Sequence, residues 1–138
     1  MDIIKIGVIG WDDGDGLLHY NITLSNGETT TELSMYGYDD MFKPFGQELA
    51  DFPQNIESRV KFNSIDDDDL TWDYLQLEVF CYAPNGASAI RIQVRNGYAV
   101  PHYHRCEFFV LTEPAVLNRL GQQLKSWNPR EGSTFFYK

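Results

Sequence analysis

Apolar and polar residues alternate along much of this chain, and the alternation starts early. Ile3 to Ile9 is an apolar run of strand length, WDDGDG (Trp11 to Gly16) supplies a turn, and LLHYNITL (Leu17 to Leu24) puts Leu18, Tyr20, Ile22 and Leu24 on one face of an extended segment. Asn26 and Gly27 then predict a hairpin. With this dipeptide at the centre of a type I′ turn, Leu24 opposes Thr29, Ile22 opposes Thr31, Tyr20 opposes Leu33 and Leu18 opposes Met35, so the apolar sets share one side.

The period then changes. In DDMFKPFGQELADFP (Asp39 to Pro53), Phe42, Phe45, Leu49 and Phe52 recur at helical spacing, with Asp39 or Asp40 placed to cap the start and Pro53 to stop it, which predicts a short helix over Pro44 to Asp51. Ser58 to Ile65 reads as a strand leading into the acidic loop IDDDDL (Ile65 to Leu70). DYLQLEVFCYAPNGASAIRIQVRNG (Asp73 to Gly97) reads as a second hairpin, and Asn85 and Gly86 at its turn pair Cys81 with Ile90, Val79 with Ile92 and Leu77 with Val94. Its opposite side carries Gln76, Glu78, Phe80, Tyr82, Arg91, Gln93 and Arg95, with Phe80 opposite Arg91. A strand over His102 to Leu111 continues this sheet. TEPAVLNRLGQQLKSW follows as a helix, with Thr112 at the N-cap, Glu113 and Pro114 in the first turn, and Leu117, Leu120, Leu124 and Trp127 along one stripe. Thr134 to Tyr137 reads as a last strand. No repeat and no linker divides the chain, and 138 residues is the size of one domain.

Composition narrows the class. Twenty acidic against eleven basic residues give a net charge of −9, which repels the phosphates that a nucleic-acid binder must neutralise and suits a basic protein partner. No apolar run reaches the roughly 20 residues that span a bilayer, and MDIIKIGVIGW has no basic leader, so the expected location is the cytoplasm. Cys81 and Cys106 are then expected as reduced, small hydrophobes.

Candidate chemistry is sparse. PHYHRC (Pro101 to Cys106) sets His102, His104 and Cys106 at every second position. Cys106 belongs with Phe108 and Val110 as packing, while His102 and His104 sit at the rim with the spacing of a metal-ligand pair that lacks an evident third ligand. WDDGDG fails as a calcium loop starting at Asp13, because Leu24 stands where a bidentate glutamate is required. Four consecutive carboxylates, Asp66 to Asp69, suit a solvated loop or an acidic contact for a basic partner better than a cation site. No nucleophile elbow, phosphate loop or dinucleotide fingerprint occurs, and Glu78 and Glu107, each flanked by Gln or Arg on a solvated face, make no acid/base pair. What remains is the outward hairpin face, whose Phe80, Tyr82, Arg91 and Arg95 mix rings and guanidinium groups as interface cores do.

The order of FGQELADF, a strand and loop, YLQLEVFCYAPNGASAIRIQV, another strand and EPAVLNRLGQQLKSW resembles the small bacterial immunity proteins encoded beside polymorphic toxins, of the wall-associated-protein immunity type, over about Phe42 to Trp127. The resemblance implies an α+β fold that binds and neutralises a cognate toxin in the cytoplasm, without cofactor or catalysis. It carries over no functional residue. The combined expectation is a single α+β domain: a mostly antiparallel, twisted sheet of six to eight strands curling toward a sandwich or partial barrel, with two amphipathic helices packed on it. The expected function is non-enzymatic binding of a toxin domain by Asp66, Asp67, Asp68, Asp69, Phe80, Tyr82, Arg91 and Arg95. The alternative is a small metal-binding β-module or metal-dependent enzyme using His102 and His104.

Overall fold

The computed structural model describes residues 3–11, 15–65 and 72–137. Its elements run β1 (Ile3–Trp11), β2 (Leu18–Ser25), β3 (Thr30–Gly37), α1 (Lys43–Ala50), β4 (Arg59–Asn63), β5 (Tyr74–Cys81), β6 (Ser88–Arg95), β7 (Arg105–Thr112), α2 (Pro114–Ser126) and β8 (Thr134–Tyr137). The strands form two open antiparallel sheets of four, ordered β3-β2-β1-β8 and β4-β5-β6-β7. Alternation decides which face turns inward: Leu18, Tyr20, Ile22 and Leu24 of β2, Leu75, Leu77 and Val79 of β5, and Ile90, Ile92 and Val94 of β6 are all buried in one cluster with both helices. The α+β, sandwich-like architecture is the one the alternation implies.

Both hairpins keep the predicted faces in a register displaced by two residues. Leu24 pairs with Thr31, Ile22 with Leu33 and Tyr20 with Met35. Cys81 pairs with Ser88, Val79 with Ile90 and Leu77 with Ile92, so Phe80 lies opposite Ala89 and it is Glu78 that faces Arg91. The asparagines are the cause. A type I′ turn needs positive φ at both central residues, and among the described residues only glycines have it, Gly27 at 91° and Gly86 at 89° in these turns. Asn26 uses its side chain instead, its Oδ1 accepting from the amides of Glu28 at 3.0 Å and Thr29 at 2.8 Å, and Asn85 Oδ1 accepts from Ala87 N at 3.0 Å. The first turn is therefore recentred on Gly27 and Glu28, closed by Asn26 N donating to Thr29 O, and the second is lengthened to the four residues from Ala83 to Gly86, closed by Tyr82 N donating to Ala87 O. A displacement by an even number leaves side-chain parity intact.

Element ends differ in smaller ways. β4 is shorter than Ser58 to Ile65, and β7 begins at Arg105. Asn96 explains the late start of β7: its Oδ1 accepts from His104 N at 2.9 Å and its Nδ2 donates to His102 O at 2.9 Å, holding that backbone in a loop. Neither helix has a side-chain N-cap, α1 starting after Phe42 and α2 after Glu113, each with a proline in its first turn.

The helices run past each other in opposite directions and cap one another. Lys43 Nζ donates to the carbonyls of Trp127 at 2.7 Å and Lys125 at 3.3 Å, and Asn118 Nδ2 donates to those of Phe52 at 2.7 Å and Leu49 at 2.9 Å. Last-turn carbonyls of both helices thus find partners. At the crossing, a Cβ on Gly46 would lie 2.7 Å from Lys125 N, and one on Gly121 would lie 2.6 Å from Gly46 O.

This reciprocity reveals a duplicated plan in permuted order. β4, β5, β6 and β7 are successive neighbours and lead into α2, while β8, β1, β2 and β3 are successive neighbours and lead into α1. One sequence offset relates Lys43 to Asn118, Gly46 to Gly121, Leu49 to Leu124, Phe52 to Trp127 and Val60 to Phe135. The expectation of no repeat is corrected here. Identity at this offset is densest at the helix crossing, where backbones touch, in FGQEL (Phe45 to Leu49) and LGQQL (Leu120 to Leu124), and recurs singly at Glu32 and Glu107 and at Ser58 and Ser133; most strand positions need only be apolar, so their likeness is lost in the common alternation.

Between the layers, Phe42 stacks on Phe62 with centroids 5.1 Å apart and meets Tyr20 edge-on at 5.4 Å, while Trp127 lies 5.5 Å from Phe135. These rings join both sheets to both helices. Tyr20 is fully buried and donates its hydroxyl to Tyr38 O at 2.8 Å. Burial first, and then the charges of Asp39 and Asp40, push its pKa well above the ordinary tyrosine value. No helix among the described residues is long and apolar enough to cross a membrane.

Candidate functional site

Among the described residues, no other element packs as a layer on the face of the β4–β7 sheet turned away from the core. Register lays its side chains out in rows: Arg59, Phe80, Ala89 and Leu111; Lys61, Glu78, Arg91 and Phe109; Asn63, Gln76, Gln93 and Glu107; and Tyr74, Arg95 and Arg105. Each row is a line of directly opposed neighbours. The first two concentrate apolar surface. Tyr82, just beyond β5, is 53% exposed, Phe109 44% and Leu111 66%, and Phe80 meets Phe109 edge-on with centroids 6.3 Å apart.

Charges tie the rows together. Glu78 receives Arg59 at 3.3 Å and Lys61 at 3.5 Å, and Arg91 donates Nε and Nη2 to one oxygen of Glu107 at 3.0 and 2.6 Å. The Arg59 guanidinium lies 4.9 Å over the Phe80 ring, and that of Arg95 lies 4.7 Å over Tyr74. Such exposed pairs contribute about 0–1 kcal/mol each, so they order the surface more than they stabilise the fold. Among the described residues, five basic ones, Arg59, Lys61, Arg91, Arg95 and Arg105, share the face with two acidic ones, Glu78 and Glu107, in a chain of net charge −9. Charge is therefore strongly polarised.

Of the residues singled out in sequence, Phe80, Tyr82, Arg91 and Arg95 do share this face. Arg95 is the buried one, 9% exposed with its guanidinium over the Tyr74 ring, so its polar end is less available than that of Arg91. Asp66, Asp67, Asp68 and Asp69 lie outside the described residues. His102 and His104 are exposed in the connection before β7 rather than on the strand, and among the described residues no three His, Cys, Asp or Glu side chains come together as a metal site. The metal reading therefore has only its spacing. Cys81 and Cys106 are free thiols packed at the edge of the core.

Sequence reasoning missed Arg59, Lys61, Phe109 and Leu111. The odd positions of β7 were legible as an outward set, but joining them to Phe80 requires the order β5-β6-β7. A second feature was also missed, a cleft of about 550 Å³ bordered by His19, Tyr36, Trp72, Asp73 and Tyr98.

No protein-family model matches the chain, and neither a curated protein nor a solved structure does.

Proposed function

We propose that the chain is a non-enzymatic binding protein of the immunity type, which neutralises a toxin domain in the cytoplasm and contacts it through the outer β4–β7 face. One observation carries the reading: Phe80, Tyr82, Phe109 and Leu111 form an apolar patch that no described element covers, rimmed by Arg59 and Arg91. Exposed apolar side chains scattered singly need no explanation, whereas a ring-bearing patch with arginines at its edge has the make-up of an interface centre.

Polarity refines the partner. The described residues of this face are mainly basic, so it suits an apolar and acidic region of the toxin, while a basic region of the same toxin is drawn to the remaining surface, since all but two of the thirteen described acidic residues lie outside the rows. Both signs then steer the encounter.

The test is co-expression with the protein encoded immediately upstream of the gene. Growth arrest by that protein's C-terminal domain should be relieved by the wild-type chain and not by Leu111→Asp or Tyr82→Ala, with unchanged circular dichroism. Equal relief by both variants would remove this face from the interaction, and no relief by the wild type would remove the immunity reading.

A further inference from the structure

We infer that the cleft beside β2 and β3 is a receptor for a guanidinium group, the side chain of an arginine presented by a protein partner. The cleft encloses about 550 Å³ between the β2–β3 hairpin, the segment entering β5 and the connection from β6 to β7. Its walls are aromatic. Tyr36, Trp72 and Tyr98 line it while remaining 47%, 57% and 67% exposed. Tyr36 is held between neighbours: His19 stacks on it with centroids 4.4 Å apart and planes 18° apart, and Trp72 meets it edge-on at 6.5 Å. The rings are thus preorganised without being buried.

Charge selects among the ligands that rings accept. Asp73 lines the cleft, and among the described residues no lysine or arginine does. Its Oδ1 accepts from Gly97 N at 3.1 Å, while among the described residues Oδ2 has only the amide of Ser34 at 3.5 Å, leaving acceptor capacity on that oxygen. Ring faces are electron-rich, so a carboxylate among them, in a chain of net charge −9, favours a cation. A nucleotide brings phosphates into the same repelling field. Between the common cations, guanidinium is planar and weakly hydrated, stacks on Tyr and Trp, and presents a fork of N–H donors to a carboxylate; ammonium offers neither plane nor fork.

This site takes from the proposed function only that the partner is a protein with basic segments; it shares no residue with the β4–β7 face. The test titrates the full chain with acetyl-Gly-Arg-Gly-amide and with its citrulline counterpart, the neutral isostere, by two-dimensional NMR. Millimolar binding of the arginine peptide is expected, moving the Trp72 indole N–H and the Gly97 amide, with at least tenfold weaker binding of the citrulline peptide. Tyr98→Ala and Trp72→Ala, at exposed positions, should each weaken it roughly fivefold, the loss of one cation–π contact. Leu111→Asp should leave it unchanged, which separates this site from the partner face. Equal binding of both peptides, shifts mapping elsewhere, no binding, or tighter binding of adenosine monophosphate or maltotriose would each overturn the inference.

Discussion

Gly46 and Gly121 face each other where α1 crosses α2, each the counterpart of the other in the permuted plan. A Cβ on Gly46 would meet Lys125 N at 2.7 Å and Gly121 O at 2.9 Å, both backbone atoms, so no side chain can swing away to make room. Alanine is worth about 1 kcal/mol over glycine in a helix interior, but overpacking costs about 1–3 kcal/mol, and the clash wins here because it strikes two rigid helices. Gly46→Ala and Gly121→Ala should therefore each lower the free energy of unfolding in urea. The double variant should lose less than the two effects added, because one separation of the helices relieves both contacts. A gain in stability from either alanine would show that the helices do not approach so closely.

The reciprocal caps make a second prediction. Asn118 Nδ2 supplies both Leu49 O and Phe52 O, and Lys43 Nζ brings a positive charge to the carbonyl end of α2. Asn118→Ala should cost about 1–3 kcal/mol, since partly buried carbonyls lose their donor. Lys43→Met keeps the aliphatic stem and removes the charge, for a smaller cost of about 0.3–1 kcal/mol that salt reduces. Thermal unfolding at low and high ionic strength distinguishes them: only the Lys43 effect should shrink with salt.

What the chain disclosed in advance follows a simple division. Period and parity are set by burial, so the inward residues of β2, β5 and β6 and the stripe Leu117, Leu120, Leu124 were legible. Turn register was not, because asparagine before glycine has a second option: Asn26 and Asn85 bond the following amides instead of adopting positive φ. The face bearing Phe80 and Arg91 was legible as a set within one hairpin, whereas Leu111 joined it only through sheet order. The aromatic cleft was invisible, since His19, Tyr36, Trp72 and Tyr98 meet from four separate stretches. Duplication was hidden by permutation, which moves the partner of β4 to the far end of the chain.

Alkaline pH should report on Tyr20. Its pKa is raised by burial and by Asp39 and Asp40, so above about pH 10 the unfolded chain releases this proton while the folded chain retains it. With fewer protons bound to the unfolded state, stability falls as pH rises, by about 1.4 kcal/mol per unit from this residue alone. Tyr20→Phe removes that contribution and also the hydroxyl that donates to Tyr38 O, so it should be less stable at neutral pH and show a shallower decline between about pH 10 and 11. Parallel slopes for the two proteins in urea unfolding would mean that Tyr20 ionises freely when folded.

The permuted plan itself can be tested by undoing it. β8 pairs antiparallel with β1, Tyr137 opposite Ile4 and Phe135 opposite Ile6, so the chain leaves β8 beside the place where it enters β1. A loop of about two to five residues is enough to join antiparallel neighbours. The compensating break belongs between α1 and β4, where Gln54, Asn55, Ile56 and Glu57 are all exposed. A variant opened between Ile56 and Glu57 and joined from Tyr137 to Ile4 would read as two consecutive units of four strands and a helix, with every strand pair and both reciprocal caps retained. It should unfold in one cooperative transition, because both units contribute to a single buried cluster. Its loss of stability should be small, confined to local bonds such as those from Gln54 N and Asn55 N to Ser58 Oγ at 3.0 Å. Two separate transitions, or failure to fold while Gly46 and Gly121 are unchanged, would show that the order of the units along the chain, and not only their pairing, is needed to assemble the crossing.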